Sequence, residues 1–468
     1  MSYQIEEHIA KRLKDFFAKF DFIDKVVVFG SRAKHNANPK SDIDLCVYSL
    51  NMSSTQFSIL KMEIDELPIL YKLDVVHFEN SDNALKENIE REGKLLYQHK
   101  FPFDKFFKNI SSKPYQIAKK NYLEEGKFPV VDQGKKFIVA YSNNQEKLFL
   151  NSPVIIFGDH TRIIKYIDFD FVIGADGTKI LTSYDDTIDI KYAYYQLLFT
   201  KIESLGYSRH YKLLKEKTFI KHSLKEQKAI AKKLDLAQEI IELRKSSIKK
   251  LDELSKALFI DMFGDPVENE MGWEVVELSE ILRGKSANGY FGSKKDYTET
   301  GTPTIWIGDF IDKYNIDIDT LKKVNITEKK KEKYLLEYGD VLFCRSSLTK
   351  EGIAKAGFIA KNTNREVIFE DHVIKMPFDT KKILPEYFYF YSYNQFYRLW
   401  MYSMSKTATM TTIGQKEILK SPVMLPLLPL QQKFAKTIEK IEAQKALYVE
   451  ELKGFEDLFE SLLSESFA

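Results

Sequence analysis

The chain contains one long stretch twice: LKEQKAIAKKLDLAQEIIELRKSSIKKLDELSKALFIDMFG (residues 224–264) and LPLQQKFAKTIEKIEAQKALYVEELKGFEDLFESLLSESFA (residues 428–468). The copies align without a gap when the sequence is shifted by 204 residues. Identical pairs occur along the whole alignment: Gln227/Gln431, Ala231/Ala435, Lys232/Lys436, Leu243/Leu447, Lys249/Lys453, Leu254/Leu458, Leu258/Leu462 and Phe263/Phe467. Two unrelated surface helices would not share one ungapped register, so we interpret the two stretches as a duplicated unit.

Both stretches are predicted to be long helices with a narrow apolar seam. Steps of three, four or seven residues separate the seam positions, which are Ile230, Leu234, Ala237, Ile241, Ile248, Leu251, Leu258 and Met262 in one copy and Phe434, Ile438, Ile441, Tyr448, Leu452, Phe455, Phe459 and Leu462 in the other. This spacing is typical of a coiled coil, although Arg244 and Lys445 interrupt it. Each helix would be about 60 Å long at about 1.5 Å per residue. We expect the two seams to pack on each other.

The segments before the two helices keep a common order of features. A proline leads into a strand-like run in both GKFPVV (126–131) and GTPTIW (301–306). A short strand ending in phenylalanine follows, at residues 154–157 and 341–343. Because short β-rich runs alternate with Gly, Asn and Asp, each segment is predicted to be a compact α+β domain.

The composition fits several globular domains. At roughly 150 residues per domain, the 468 residues predict about three. The formal net charge of +2 neither supports nor excludes DNA binding. Cys46 and Cys344 lie in separate apolar runs and are predicted to be buried free thiols of a reducing compartment. No apolar run approaches bilayer length and the start resembles no signal peptide, so we expect a cytoplasmic protein without a membrane partner.

Three short segments carry a resemblance to a known family. GWEVVEL (272–278), PVVDQG (129–134) and PLLPLQQ (426–432) resemble, together with the duplication, the specificity subunit of type I restriction-modification enzymes over about residues 101–468. The first copy departs from this pattern, because KHSL (221–224) lacks the prolines that precede the second helix.

The resemblance implies an α+β multidomain architecture. Two target-recognition domains would each be followed by a long spacer helix, the two helices would pair as a coiled coil, and a separate N-terminal α/β domain would precede them. The implied boundaries are 1–100 for the N-terminal domain, 101–222 and 265–427 for the recognition domains, and 223–264 and 428–468 for the helices.

In that family each recognition domain reads one half of a split, asymmetric DNA site. The implied partners are double-stranded DNA, methyltransferase subunits (two of them) and restriction or translocase subunits. The sequence has neither the Asn/Asp-Pro-Pro-Tyr/Phe quartet of adenine methyltransferases nor a P-loop of the form GxxxxGK[ST]. We therefore expect S-adenosylmethionine to bind the partner, and no cofactor to bind the C-terminal part of this chain.

Candidate DNA contacts are polar residues in loops after strands or before the long helices. Arg, Lys and Ser in such loops can reach base edges or phosphates. The candidates are Arg162, Arg209 and Lys212 in the first copy and Arg345, Ser346 and Lys406 in the second.

A pattern of acids marks the N-terminal part. Asp42 and Asp44 lie two residues apart on a predicted strand, so both side chains point to one face. Asp74 supplies a third acid on another strand-like run, whereas the nearby His77 is interpreted as structural. Carboxylates gathered on one face suit Mg²⁺, and such a site can activate a hydroxyl and stabilise a leaving pyrophosphate.

A Gly-Ser pair precedes these acids and completes the motif. Gly30 and Ser31 follow a predicted buried strand and start a turn into a helix, where glycine allows the backbone to approach a phosphate closely. Together with the acids, this pair resembles the minimal nucleotidyltransferase family over about residues 1–100. The resemblance implies that Gly30 and Ser31 hold a nucleoside triphosphate and that three acids bind Mg²⁺ and catalyse transfer: Asp42, Asp44 and Asp74, with Asp74 as candidate base. The sequence departs from that family at Lys34-His35, where glycine is usual.

Three functions remain open from the sequence. The first is a DNA-specificity subunit that directs methylation or restriction by its partners. The second is a metal-dependent nucleotidyltransferase that modifies a protein or RNA in a toxin–antitoxin or defence system, with the duplicated region as a targeting scaffold. The third is a purely structural coiled-coil scaffold. A degenerate N-terminal domain that only binds a partner is the alternative to a catalytic one.

Overall fold

The computed structural model describes residues 3–49, 52–174, 176–292, 294–361, 363 and 365–468. It divides into two compact units, Met1–Ile240 with Phe455–Ala468, and Ile241–Gly454. Within the described ranges, every helix is too short or too polar to cross a membrane. The mixed α+β, multidomain architecture predicted from the sequence is confirmed.

The N-terminal domain is a mixed sheet covered by helices. Its elements are α1 (Glu7–Phe17), β1 (Lys25–Phe29), α2 (Gly30–Ala33), β2 (Ile43–Tyr48), α3 (Ser54–Asp65), β3 (Leu73–His77), α4 (Asn83–Glu92) and β4 (Lys94–Gln98). The strand order is β3-β2-β1-β4, in which only β2 and β3 run parallel. Helix α1 is amphipathic, and it buries Leu13 and Phe17 in the same core as Val26 and Val28 of β1.

The first recognition copy contains two four-stranded sheets. Its elements are β5 (Lys100–Pro102), α5 (Phe103–Phe106), β6 (Phe107–Ile110), β7 (Phe128–Val131), β8 (Ala140–Ser142), β9 (Leu148–Phe149), β10 (Val154–Gly158), β11 (Ile164–Ile167), β12 (Phe171–Ile173), β13 (Thr178–Ser183), α6 (Ile190–Phe199), α7 (Tyr211–Lys215) and β14 (Thr218–Ile220). The strand orders are β11-β10-β13-β6 and β8-β7-β12-β9. Strands β5 and β14 pair with each other, which joins the two ends of this copy.

The second copy follows the first long helix. The elements are α8 (Leu224–Phe263), β15 (Glu274–Glu277), β16 (Ala287–Asn288), β17 (Tyr297–Thr298), β18 (Thr302–Ile305), α9 (Ile307–Phe310), β19 (Lys322–Val324), α10 (Glu328–Lys331), β20 (Asp340–Cys344), β21 (Ser346–Ser347), β22 (Ala356–Phe358), β23 (Ile368–Phe369), β24 (Val373–Pro377), α11 (Pro385–Ser392), α12 (Gln395–Met404), β25 (Lys406–Thr407), β26 (Thr411–Thr412), α13 (Gln415–Leu419), β27 (Pro422–Leu425) and α14 (Leu428–Phe467).

The two copies share one sheet plan, as the sequence repeat predicts. Strand β10 lies between β11 and β13 in the first copy, and β20 lies between β22 and β24 in the second, with every pair antiparallel. The other sheet contains a parallel pair in both copies, β7 with β12 and β18 with β23. The motifs at 126–131 and 301–306 therefore supply equivalent strands, β7 and β18.

Each copy ends in a 40-residue helix. Helix α8 stops where Gly264 adopts φ +77°, a left-handed conformation that favours glycine after a helix. In the second unit α8 and α14 run antiparallel, because Lys445 Nζ lies 2.5 Å from Asp252 Oδ1 and Arg244 Nη2 lies 2.8 Å from Glu451 Oε2. Each residue that interrupts the seam, Arg244 or Lys445, thus forms an ion pair with an acid of the other helix. Coiled-coil packing as such stays a prediction.

Candidate functional sites

The acids of the N-terminal domain meet on neighbouring parallel strands. Asp44 of β2 is the direct register partner of Asp74 of β3, so the two side chains lie on one face of the sheet. Asp42 comes two residues before Asp44, and the buried Ile43 between them points to the opposite face. The structure therefore brings the three predicted acids to one edge of the sheet.

A lysine cation bridges two of these acids. Lys72 Nζ lies 3.0 Å from Asp74 Oδ2 and 3.5 Å from Asp42 Oδ2. Burial raises the pKa of Asp44, and the charges of Asp74 and Asp42 raise it further. The three carboxylates do not close to within 4.8 Å of one another. Their oxygen donors and mutual repulsion nevertheless fit a hard cation such as Mg²⁺, with Lys72 moving aside.

Gly30 is required by its contact with this acidic edge. It has φ +70°, and a Cβ at this position would lie 2.2 Å from Asp44 Oδ2. Ser31 follows it in the first turn of α2. The Gly-Ser turn thus lies directly against Asp44, next to the predicted metal ligands.

Arg32 forms hydrogen bonds to the backbone of the segment that carries Asp42. Its buried guanidinium donates to the carbonyl oxygens of Ser41 and Asp42 at 2.8 and 3.2 Å, and it lies 4.0 Å from the ring centre of Tyr71. This residue therefore fixes the turn before β2. The sequence assigned no role to Arg32, which follows the Gly-Ser pair, or to Lys72, because their contacts join segments that are distant in the sequence.

The backbone at Lys34-His35, where the sequence departs from the resembled family, has a conformation that favours glycine. His35 has φ +59°, a conformation that costs a non-glycine residue about 1 kcal/mol or more. Lys34 forms an ion pair with Glu92 at 2.7 Å. His77, which we interpret as structural, is buried, and its Nε2 lies 3.0 Å from the carbonyl oxygen of Ser49 and 2.7 Å from Glu79 Oε2.

Of the predicted residues of the first copy, Arg162 and Arg209 lie in loops and Lys212 lies in helix α7. Arg162 follows β10 and donates to the carbonyl oxygen of Ile202 at 2.9 Å. Arg209 is 3.9 Å from Asp176 in an exposed pair, and Lys212 is exposed in the first turn of α7.

Residues that the sequence did not single out join these loops. Gln133 donates to the carbonyl oxygen of Asp176 at 2.6 Å and accepts from the backbone N–H of His160 at 3.0 Å. The His160 ring stacks on Tyr207, with centroids 5.5 Å apart, and Tyr207 is 97% exposed. A single exposed tyrosine in a polar loop gives no pattern in the sequence, so only the fold identifies it.

The structure gathers the predicted residues of the second copy around a small sheet, β21-β26-β25. Lys406 is exposed on β25. Arg345 precedes β21 and is half-buried, and its backbone N–H donates to the carbonyl oxygen of His372 at 2.8 Å. The expectation that Ser346 lies at an accessible loop tip is wrong: it is buried, with its Oγ 2.7 Å from His372 Nδ1.

A large cavity lies away from all these residues. It measures about 980 Å³ and is bounded by α4 and the start of α8. Lys25 and Glu226, which line it, form an ion pair at 3.6 Å. None of the three acids lines the cavity, so cavity size does not locate the candidate nucleotide site.

Two known families match the chain. The family model described as "Polymerase beta, Nucleotidyltransferase" matches residues 11–101. The family model described as "Type I restriction modification DNA specificity domain" matches residues 270–453. The first match falls on the domain that carries the three acids, and the second falls on the second copy and most of α14.

Similar proteins include type I specificity subunits. The EcoR124I/EcoR124II specificity subunit of Escherichia coli is 40% identical over 86 residues, which are 18% of this chain and 21% of that protein. The StySPI specificity subunit of Salmonella potsdam is 24% identical over 234 residues, 47% of this chain and 50% of that protein. The chain thus spans half, or less, of the length of these curated relatives.

One solved structure shares the fold. The S subunit of a Type-I restriction-modification system from M. genitalium superposes with a TM-score of 0.51 at 17% identity, over 79% of this chain and 96% of that one. The chain therefore combines a polymerase beta-type nucleotidyltransferase domain with a type I restriction-modification specificity domain, and over most of its length it has the fold of a type I specificity subunit.

Proposed function

We propose that this chain is the DNA sequence-specificity subunit of a type I restriction-modification complex. The observation that carries the proposal is the repeated plan of the chain, in which the same sheet arrangement is followed twice by a 40-residue helix. Two readers of one fold with different loop residues are suited to an asymmetric, bipartite DNA site. The basic residues in or beside these loops are the proposed contacts to DNA: Arg162, Arg209, Lys212 and Lys406, which are exposed, and Arg345, which is half-buried.

The long helices supply the proposed spacing between the two halves of the site. A helix of 40 residues is about 60 Å long. That length corresponds to between one and two turns of B-DNA at about 34 Å per turn. A spacer of fixed length and free sequence would follow from this geometry.

Partner subunits would supply the chemistry. In the proposed cytoplasmic complex, two methyltransferase subunits bind the helices, hold S-adenosylmethionine and methylate adenine. Restriction or translocase subunits supply cleavage and ATP-driven movement. This chain contributes recognition, because each of its two copies contains a pair of sheets and loops with basic residues.

The methylome of cells that express this chain with its cognate methyltransferase tests the proposal. We expect one bipartite motif with a fixed spacer. Exchange of residues 101–222 for the same region of a related subunit should change only one half of the motif. An unsplit motif, or a motif that survives the exchange unchanged, would contradict the proposal.

The contact between Gly30 and Asp44 supports a second function for the N-terminal domain. We propose that this domain transfers a nucleoside monophosphate to a hydroxyl of a protein or RNA. Asp42, Asp44 and Asp74 would hold Mg²⁺, which would neutralise the triphosphate and assist departure of pyrophosphate. The turn at Gly30 and Ser31 would place backbone N–H groups against the phosphates. Asp74 would accept the proton of the attacking hydroxyl.

Incubation of the full chain with labelled nucleoside triphosphates and Mg²⁺ tests this second function. Label should appear on an acceptor from the same cells, and Asp42→Ala/Asp44→Ala should abolish it. Transfer that persists in the double variant would contradict the site, and methylation by the same variant shows whether the two functions are independent.

A further inference from the structure

A second candidate metal centre lies in the second recognition copy, on the turn between β23 and β24. Glu370, Asp371 and His372 are consecutive residues, and one ligand atom from each lies within 4.8 Å of the others. Among the described residues, no other group of three or more potential metal ligands has its ligand atoms this close together. A glutamate, an aspartate and a histidine together offer two oxygen donors and one nitrogen donor.

Glu370 has an unused oxygen inside the protein. Its side chain is only 2% exposed, and Oε2 accepts a hydrogen bond from the backbone N–H of His372 at 3.0 Å. Oε1 is buried and has no hydrogen-bond partner among the described residues. A buried carboxylate oxygen without a partner is costly, unless a proton or a cation neutralises the group. This orphaned atom is the observation that points to a ligand.

The neighbouring acid increases the need for a positive charge. One carboxylate oxygen of Asp371 lies within 4.8 Å of one of Glu370, so two negative charges repel each other at this turn. Asp371 is half-buried and His372 is exposed, so the turn opens to solvent on the histidine side. A small hydrated cation can therefore reach it.

The histidine is already held in place. Ser346 Oγ lies 2.7 Å from His372 Nδ1, which fixes the orientation of the imidazole ring. In metal sites, a hydrogen bond from one ring nitrogen commonly orients the histidine for its metal. We propose that Glu370, Asp371 and His372 bind a divalent first-row transition cation, Mn²⁺ or Zn²⁺, with water completing its coordination.

Two of the proposed ligand residues, Asp371 and His372, contact Arg345 through their backbone carbonyl oxygens. The Arg345 backbone N–H and guanidinium donate to the carbonyl oxygens of His372 and Asp371, at 2.8 and 3.2 Å. A cation bound to Asp371 and His372 would therefore fix the two carbonyl oxygens that position Arg345. Ion binding itself does not depend on the proposed DNA function.

Mn²⁺ titration of the full chain, followed by the EPR signal of free Mn²⁺, tests the site. An Asp42→Asn/Asp44→Asn background removes binding at the N-terminal acids. In that background we expect one Mn²⁺ per chain, and at least tenfold weaker binding after Glu370→Gln or Asp371→Asn. Glu332→Gln is the matched control, because Glu332 is an exposed acid of the same copy, and it should leave binding unchanged.

A thermal shift separates loss of the ion from loss of the fold. Glu370→Gln retains a carbonyl oxygen for the His372 N–H, so the variant should unfold at a similar temperature without metal. Mn²⁺ should raise the unfolding temperature of the background protein and not that of the variant. Absence of Mn²⁺ binding in the background, or equal binding by Glu370→Gln, would overturn the proposal.

Discussion

At the scale of single residues, the identical pair Gln227 and Gln431 does the same work in both copies. The side-chain oxygen of each accepts the backbone N–H that starts a helix of its copy, from Asp189 before α6 and from Leu384 before α11, at 2.7 and 2.8 Å. Each amide nitrogen also donates to two carbonyl oxygens, one of them five residues earlier. Both glutamines are fully buried.

Replacing Gln431 with glutamate should therefore destabilise the protein strongly. The variant keeps one acceptor but turns an oxygen toward two carbonyl oxygens in a buried site, at a cost of about 3 kcal/mol. Chemical denaturation of the full chain measures the effect. Gln432→Glu is the control, since Gln432 is exposed next to it. Equal unfolding midpoints for the two variants would show that the buried bonds contribute little.

Gly30→Ala tests the nucleotidyl-transfer site with a single methyl group. The added Cβ would overlap Asp44 Oδ2, and the left-handed φ of +70° disfavours alanine. A displacement of about 1 Å at a reacting centre can reduce the rate about 100-fold, so we expect at least that loss of label transfer. Gly308→Ala, which meets open space, should transfer label at the normal rate. Undiminished transfer by Gly30→Ala would exclude this turn from the site.

The sequence predicted the acids well and the supporting residues poorly. Strand periodicity places Asp42 and Asp44 on one face, whereas Asp74 joins them through the parallel pairing of β2 with β3, which the sequence alone did not give. Ser346 was misplaced because its burial depends on a strand that begins more than 60 residues later. Contacts between distant segments are set by tertiary packing, which a local pattern does not contain.

At the scale of elements, the charged residues that interrupt the helical seam form ion pairs between the two long helices. Lys445 of α14 lies between Asp252 of α8, at 2.5 Å, and Glu442 of its own helix, at 3.7 Å. Glu442 is only 8% exposed. Burial raises the pKa of Glu442, and the charge of Lys445 opposes this increase. The Lys445 cation therefore partly offsets the effect of burial on this acid.

Lys445→Met should destabilise the protein by about 1 kcal/mol at neutral pH, a modest value because solvent screens the partly exposed Asp252. A group whose folded pKa is raised stabilises the folded state at low pH, and this stability is lost as the pH rises through that pKa. Without Lys445 the pKa of Glu442 rises further, so the penalty should shrink on acidification. Denaturant unfolding at several pH values measures it. A penalty independent of pH would remove Glu442 from the explanation.

Element order was largely predictable because the chain repeats itself. The ungapped repeat fixed both helices, and the proline-led runs at 126–131 and 301–306 became β7 and β18. The pairing of β5 with β14 was not predicted, since it joins residues 118 apart at the centre of the pair. The prolines missing before α8 did not alter the helix: both helices have 40 residues.

For the whole molecule, the proposal that the two long helices set the spacing between the half-sites makes a quantitative prediction. Each long helix passes from one compact unit to the other, at Ile240/Ile241 in α8 and at Gly454/Phe455 in α14. Insertion of seven residues at both points adds about two turns, so each apolar seam keeps its face to within about 20°. Both helices lengthen by about 10 Å, close to the rise of about three base pairs. The methylated motif should keep both half-sites and gain about three base pairs of spacer.

Insertion of the same seven residues in α8 alone is the control for this experiment. It shifts one helix against the other by two turns on one side of the insertion, which separates either Arg244 from Glu451 or Lys233 from Glu465, so methylation should fall sharply. Sequencing of methylated DNA from cells with each variant gives the motif and its spacer directly. A spacer that stays unchanged after the double insertion would mean that the helices do not set the distance between the two recognition domains, even though they carry the same sequence repeat.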